Sequence, residues 1–182
     1  VRDLYDPAAT LSPRPLQERY ALFVGGAFYA NVEGMAWYGE NIAPQSPLTT
    51  IVIGRGMEAH RARLEQWGGV RVIGEVDDLT SWYAHAQIIV APILSGSGMK
   101  TKTAEALMHG KPIAGTSEAF VGYNLRSNDQ LKICATPNEF LHALHTAAGL
   151  EPGFNSELRA HYDNDHSEKA LRARLKEILH HV

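Results

Sequence analysis

Ile88-Ile89-Val90-Ala91-Pro92-Ile93-Leu94-Ser95-Gly96-Ser97-Gly98-Met99-Lys100-Thr101-Lys102-Thr103-Ala104-Glu105-Ala106-Leu107 runs from an apolar segment through a glycine-rich turn into a helical pattern. The run Ile88–Ile93 reads as a buried strand, and Lys111-Pro112-Ile113-Ala114-Gly115 opens the next one after the helix. A glycine-rich loop at the carboxyl end of a strand, leading into a helix, is an anion site. The first amides of the helix lack intrahelical partners, the helix dipole adds positive potential, and glycine lets the backbone approach a phosphate. Lys100 and Lys102 add charge at the same mouth. Glu105, one turn further in, offers a carboxylate to a sugar hydroxyl.

On either side of this segment strands and helices alternate. Ala21–Val24, Thr49–Ile53, Val70–Ile73 and Leu131–Ala135 complete a set of about six strands. They are short, continuous and apolar, with no alternation of period two, so they read as strands buried on both faces of a parallel sheet covered by helices. Helices are expected from a cap at Asn31 to Ile42, over Glu58–Trp67, from Asp77 or Asp78 to Ala86, from Pro137 to about 148, and over roughly 156–163 and 167–181. The fold class is therefore α/β, a doubly wound, Rossmann-like parallel sheet with helices on both faces. Ligands of such sheets bind at the carboxyl ends of the strands. The glycine breaks Gly25-Gly26, Gly54-Arg55-Gly56, Gly74-Glu75 and Gly96-Ser97-Gly98 all fall there.

In domain terms, residues 1–20, with Pro7, Pro13 and Pro15, read as a lead-in, 21–150 as the sheet domain, and 151–182 as a helical tail. The chain begins with Val1 rather than Met, as a piece of a longer protein would. A net charge of −3 argues against a nucleic-acid binder with a basic stripe. One cysteine, Cys134, allows no internal disulfide and fits a reducing, cytoplasmic setting. No run approaches the length of a membrane span. The tail helix, with Leu171, Leu175, Ile178 and Leu179 on one face and Lys169, Arg172, Arg174 and Lys176 around it, suits docking on a protein domain better than on a membrane.

Taken together, Leu22-Phe23-Val24-Gly25-Gly26 with Asn31-Val32-Glu33-Gly34, Ile51–Gly54, Val70–Leu79, Trp82–Ala86 and the loop through Gly98-Met99-Lys100-Thr101-Lys102 to Glu105-Ala106-Leu107 and Gly110-Lys111-Pro112 resemble a known pattern. It is that of the carboxyl-terminal, donor-binding half of GT-B glycosyltransferases, the retaining group called glycosyl transferases group 1. The resemblance is good over residues 21–125 and looser beyond. It implies a UDP- or GDP-sugar as donor, with no cofactor and no metal required. It implies further that Gly98, Met99, Lys100 and Thr101, beside Ser97, hold the donor diphosphate, and that Glu105 binds the ribose. The base would lie against Gly74, Glu75 and Val76, and Gly25 and Gly26 would line the cleft near the transferred sugar. Lys100 would be the catalytic cation. A glycan or lipid acceptor would be bound by an amino-terminal domain not in this sequence, and without it the chain would transfer nothing efficiently.

Two departures from the family pattern are visible. Many relatives carry a second glutamate eight positions before the helix glutamate; here that position is Ser97. Many place Arg and Lys after the first strand; here Ala27-Phe28-Tyr29-Ala30 offers neither, and Lys100 or Lys102 is the available substitute. Two other readings compete. Gly54-Arg55-Gly56 with Glu75 suggests an NAD(P)-binding oxidoreductase domain, although the third glycine is missing. A non-catalytic interaction domain of the same fold is the other. Asp163-Asn164-Asp165 lies in the tail, away from any site loop, and the nine histidines show no zinc-ligand spacing.

Overall fold

Six strands form one sheet: β1 (Tyr20–Val24), β2 (Thr49–Ile53), β3 (Val70–Gly74), β4 (Ile88–Ala91), β5 (Ile113–Gly115) and β6 (Leu131–Ile133). All neighbours are parallel, and the order across the sheet is β3-β2-β1-β4-β5-β6. This computed structural model describes residues 13–96 and 98–180. Ser97, most of the lead-in and the last two residues of the tail, with the expectations attached to them, lie outside that range. The central strands β1 and β4 are buried along their whole length, as continuous apolar runs require. Leu22 of β1 stands beside Ile51 on one side and Ile89 on the other. Strand order reverses at β1, so the crevice between the carboxyl ends of β1 and β4 is the topological switch point.

Among the described residues seven α-helices accompany the sheet: α1 (Tyr29–Asn41), α2 (Arg61–Glu65), α3 (Thr80–His85), α4 (Thr101–Met108), α5 (Pro137–Ala148), α6 (Ser156–Asp165) and α7 (Glu168–His180). On one face α1 meets α2, and Trp37 and Tyr38 of α1 pack edge-on against Phe140 of α5. On the other, Tyr83 of α3 stacks on His109 at the end of α4, and α6 packs on α4. Of the segment 151–182, read as a tail, α6 is thus part of the core, with Leu158 and Tyr162 buried. By contrast α7 leaves Leu171, Leu175, Ile178 and Leu179 exposed.

Several buried polar groups are matched, although among the described residues Gln87 Oε1 is buried with no hydrogen-bond partner. Tyr20 Oη donates to the Trp82 carbonyl at 2.8 Å, and Tyr38 Oη shares a hydrogen bond with Thr50 Oγ1 at 2.8 Å. Lys111 is buried to 1% exposure and donates to the carbonyls of Ala84 (2.9 Å) and Gly153 (3.0 Å), which ties α3 to the strap entering α6. Burial lowers its pKa to about 8. Gly34 sets the height of α1 on the sheet. A Cβ there would stand 2.0 Å from the Pro92 carbonyl oxygen.

Several local expectations need correction. Asn31 does not cap α1. The cap is Phe28, in extended conformation, and Asn31 lies in the first turn with its side chain turned back to the Gly26 carbonyl. The segment Glu58–Trp67 is a 3-10 turn (Met57–His60) followed by the short α2, because tertiary contacts outweigh the helical charge pattern. β4 and β5 are shorter than their apolar runs, ending or beginning next to Pro92 and Pro112. Asp78 does organise the start of α3, its carboxylate accepting from the Thr80 amide at 2.8 Å and from Ser81 Oγ at 3.1 Å. Both bonds hold its pKa below the usual aspartate value.

Candidate functional site

Two helices aim their amino ends at the switch point, and among the described residues no side chain caps either. The cap residue of α1 is Phe28 and that of α4 is Lys100, neither with a side-chain capping bond. Two other helices are capped by side chains: Thr136 and Glu139 form a capping box on α5, and Asn155 accepts two amides of α6, whereas the cap residues of α2 and α3 make no such bond. Uncapped amides at a helix amino end are favourable partners for a negatively charged group.

Between them lies a cavity of about 290 Å³ lined by Phe28, Tyr29, Asn31, Ser95, Gly96, Met99, Lys100, Thr101 and Lys102. It continues through Phe28 and Asn31 into an open groove bordered by Gly26, Arg55, Gly56 and Glu75. Gly96 and Gly98 have φ of +141° and +69°, so the loop backbone takes a path open only to glycine. Nothing lies within 4 Å of where a Gly98 Cβ would be.

The two lysines differ in setting. Lys100 Nζ donates to the Gly98 carbonyl at 2.7 Å and pairs with Glu118 Oε1 at 2.9 Å. Tyr123 Oη, from the β5–β6 connection, holds the Lys100 carbonyl at 2.7 Å. Lys102 is only 6% exposed, and its Nζ donates to Asn31 Oδ1 at 3.0 Å and lies 5.3 Å from the centroid of the Phe23 ring. Asn31 in turn donates to the Gly26 carbonyl at 2.8 Å. Burial lowers the Lys102 pKa to about 8, against the opposing pull of Glu105. A buried ammonium whose hydrogen-bond partner is a neutral amide is a strong receptor for an anion.

Glu105 is half-buried and accepts from Tyr83 Oη at 2.8 Å. Burial raises its pKa, while the Tyr83 hydroxyl and Lys102 counteract. Gly74 has φ +95° and sits beside Glu58; Glu75 is exposed on the groove and Val76 half-buried against the core. Gly25 has no room for a side chain, since a Cβ would meet Asn31 Nδ2 at 2.8 Å.

The glycine loop joins β4 to α4, with Met99, Lys100, Thr101 and Lys102 lining the cavity while Glu105 lies one turn further along α4, and the structure adds partners that spacing did not reveal. Asn31 had the signature of a cap, yet it bridges Gly26 and Lys102, which is 71 positions away. Arg55 belonged to a dinucleotide-like turn, yet it borders the same groove as Glu75. Gly54 is explained by packing: a Cβ would lie 2.1 Å from the Gly25 carbonyl oxygen. Asp163 and Asp165 are engaged by Arg159 and Arg174. A second cavity, of about 270 Å³, lies at the opposite, amino-terminal edge of the sheet beside Gln87, Pro112 and Phe154, away from the uncapped helix ends.

Residues 18–148 match the family model described as glycosyl transferases group 1. No curated protein matches the chain in sequence. Among solved structures, HepE of Anabaena in complex with UDP and glucose is similar over 90% of this chain and 49% of its own, with TM-score 0.63 and 13% identity. The GtfA/B complex matches over 92% of this chain and 37% of its own (TM-score 0.58, 18% identity), and TarM over 92% and 36% (0.59, 14%). At such identities the likeness is one of fold, the Rossmann-like α/β domain of GT-B glycosyltransferases. This chain spans about half or less of the length of these structures.

Proposed function

The chain belongs to the glycosyl transferases group 1 family, and from that premise we propose that it is the donor-binding domain of a retaining enzyme that moves a sugar from a UDP-sugar to an acceptor hydroxyl. The observation that carries the reading is the meeting of two uncapped helix ends with the buried ammonium of Lys102 at the β1/β4 switch point. The UDP and glucose named for the HepE complex favour a uridine nucleotide over GDP. In this reading the diphosphate lies on the amides of Gly98, Met99, Lys100 and Thr101, with Ser97 beside them. Glu105 binds the ribose hydroxyls, and Gly74, Glu75 and Val76 face the base. Gly25 and Gly26 border the sugar. An acceptor glycan or lipid is held by a separate domain, in a cytoplasmic pathway of glycan synthesis.

The chemistry required of this domain is to stabilise a leaving group. As the glycosidic bond to the donor breaks, negative charge grows on the β-phosphate. Amides and cations already aimed at that oxygen lower the barrier without reorganising. Lys102 supplies the buried charge. Lys100, paired with Glu118, supplies a second cation on the same loop. No step in this scheme calls on a metal ion.

The test is calorimetric titration of the chain with UDP, GDP and NAD, repeated on Lys102→Met and Glu105→Ala. Saturable binding of UDP, weakened by both substitutions, is expected. A folded chain that binds NAD and not UDP, or no nucleotide at all, would overturn the reading in favour of a dehydrogenase-like or a non-catalytic domain.

A further inference from the structure

Phe28 and Tyr29 occupy the positions after β1 where a cation was expected, and both are 59% exposed although they are large and apolar. They do not dangle. The Phe28 amide donates to the Gly26 carbonyl at 2.7 Å, and the Phe28 carbonyl accepts from the amides of Asn31 and Val32. Tyr29 is the first residue of α1. The rings touch, with centroids 4.5 Å apart and planes at 57°. Both line the cavity that holds Lys100 and Lys102, and Phe28 also borders the adjoining groove. An exposed aromatic pair on an anchored backbone thus lines the same small cavity as Lys100 and Lys102.

We propose that Phe28 and Tyr29 form a stacking platform for the pyranose ring of the donor, taking a sugar that presents a face of C–H bonds. This inference rests on the donor-site reading above and extends it to the sugar. The physical ground is that an aromatic face carries negative potential and attracts the slightly positive C–H groups of a pyranose, while burying apolar area that neither a phosphate nor a base contact would use. A sugar joined to a diphosphate held at Lys102 and the α4 amino end lies within the span of the cavity that both rings line. An arginine or lysine at these positions would reach for phosphate; two rings reach for carbon. The platform therefore discriminates by sugar, while Lys102 and Glu105 act on the nucleotide alone.

The experiment compares the dissociation constants of UDP and UDP-glucose on the same chain and on Phe28→Ala, Tyr29→Ala, and the conservative Phe28→Tyr and Tyr29→Phe. The wild-type chain should bind UDP-glucose more tightly than UDP. Each alanine variant should lose on the order of tenfold in UDP-glucose affinity, the size of one aromatic contact, with UDP affinity unchanged. The ring-preserving variants should retain the difference. Saturation-transfer NMR should show the sugar C–H protons receiving magnetisation from the protein in the wild type and less in the alanine variants. Equal wild-type affinity for UDP and UDP-glucose would overturn the platform while leaving the nucleotide site standing. So would alanine variants that weaken both ligands alike or neither. Failure of UDP itself to bind the wild type overturns the donor-site reading and the platform with it.

Discussion

Lys102 Nζ lies 3.0 Å from Asn31 Oδ1, and this bond joins the first turn of α4 to the first turn of α1 across the switch point of the sheet. It joins the two uncapped helix ends and leaves a buried cation hydrogen-bonded to a neutral amide, with Glu105 nearby. An anion arriving at this point gains two helix ends and a poorly solvated ammonium together, which a surface lysine could not offer.

Removing that ammonium should be the most damaging change to nucleotide binding. Lys102→Met should weaken UDP by about 10- to 100-fold, the range of a charged hydrogen bond. Lys100→Ala should cost less than about fivefold, because Glu118 already neutralises that lysine. Titration calorimetry on the two variants checks the ranking; a larger loss for Lys100 would reverse the assignment.

Protonation of Lys102 should set the pH dependence of binding. With its pKa lowered to about 8, the free protein loses the ammonium as pH rises through that value. UDP affinity should fall as pH rises above 8. Binding above pH 8 should take up a proton, because a bound diphosphate favours the charged form. Calorimetry in two buffers of different ionisation enthalpy reads the uptake directly. Lys102→Met should abolish it.

Glu105 should act through ribose hydroxyls. Glu105→Gln should weaken UDP by roughly tenfold. It should leave 2′,3′-dideoxy-UDP, which lacks those hydroxyls, nearly unaffected. Tyr83→Phe removes the hydroxyl that donates to Glu105 at 2.8 Å, so it should raise the Glu105 pKa further and weaken UDP in the same selective manner. Equal losses for both nucleotides would disconnect Glu105 from the ribose.

Fold stability should depend on Gly34 against the helix scale. Alanine is favoured over glycine by ~1 kcal/mol inside a helix. Here its Cβ would stand 2.0 Å from the Pro92 carbonyl oxygen, backbone that cannot swing aside. Gly34→Ala should destabilise the chain by about 2–4 kcal/mol as α1 is forced off the sheet. Urea denaturation followed by circular dichroism measures it.

Stability should also fall on acidification through His109. Burial lowers its pKa to about 4 from 6.5, so between these values the unfolded chain binds the extra proton. Stability is then complete above about pH 6.5 and is lost progressively as pH falls toward 4, by up to about 3 kcal/mol. His109→Phe keeps the stacking on Tyr83 and should flatten that slope. At the other end Lys102 and Lys111, both lowered to about 8 from 10.5, make stability rise between pH 8 and 10. Above pH 10 the unfolded tyrosines ionise while buried Tyr123 stays protonated to about pH 12, and stability falls.

The amino-acid sequence by itself determined the strands, their parallel character and the glycine loop at the end of β4. These follow from local facts: continuous apolar runs of strand length, glycine where φ must be positive, and a helix pattern immediately after. The family pattern from Gly25 to Glu105 was legible for the same reason, since each piece is a short contiguous run. Tertiary structure alone decided which charges face the site. Lys100 and Lys102 are two positions apart and chemically identical in the sequence, yet one is paired with Glu118 and the other is buried against Asn31. Burial and partnership depend on what packs from β1, α1 and the β5–β6 connection, and no local pattern encodes that. The same holds for Phe28 and Tyr29: as letters they are hydrophobic residues suited to a core, and only the packing of α1 on the sheet leaves their rings facing the cavity.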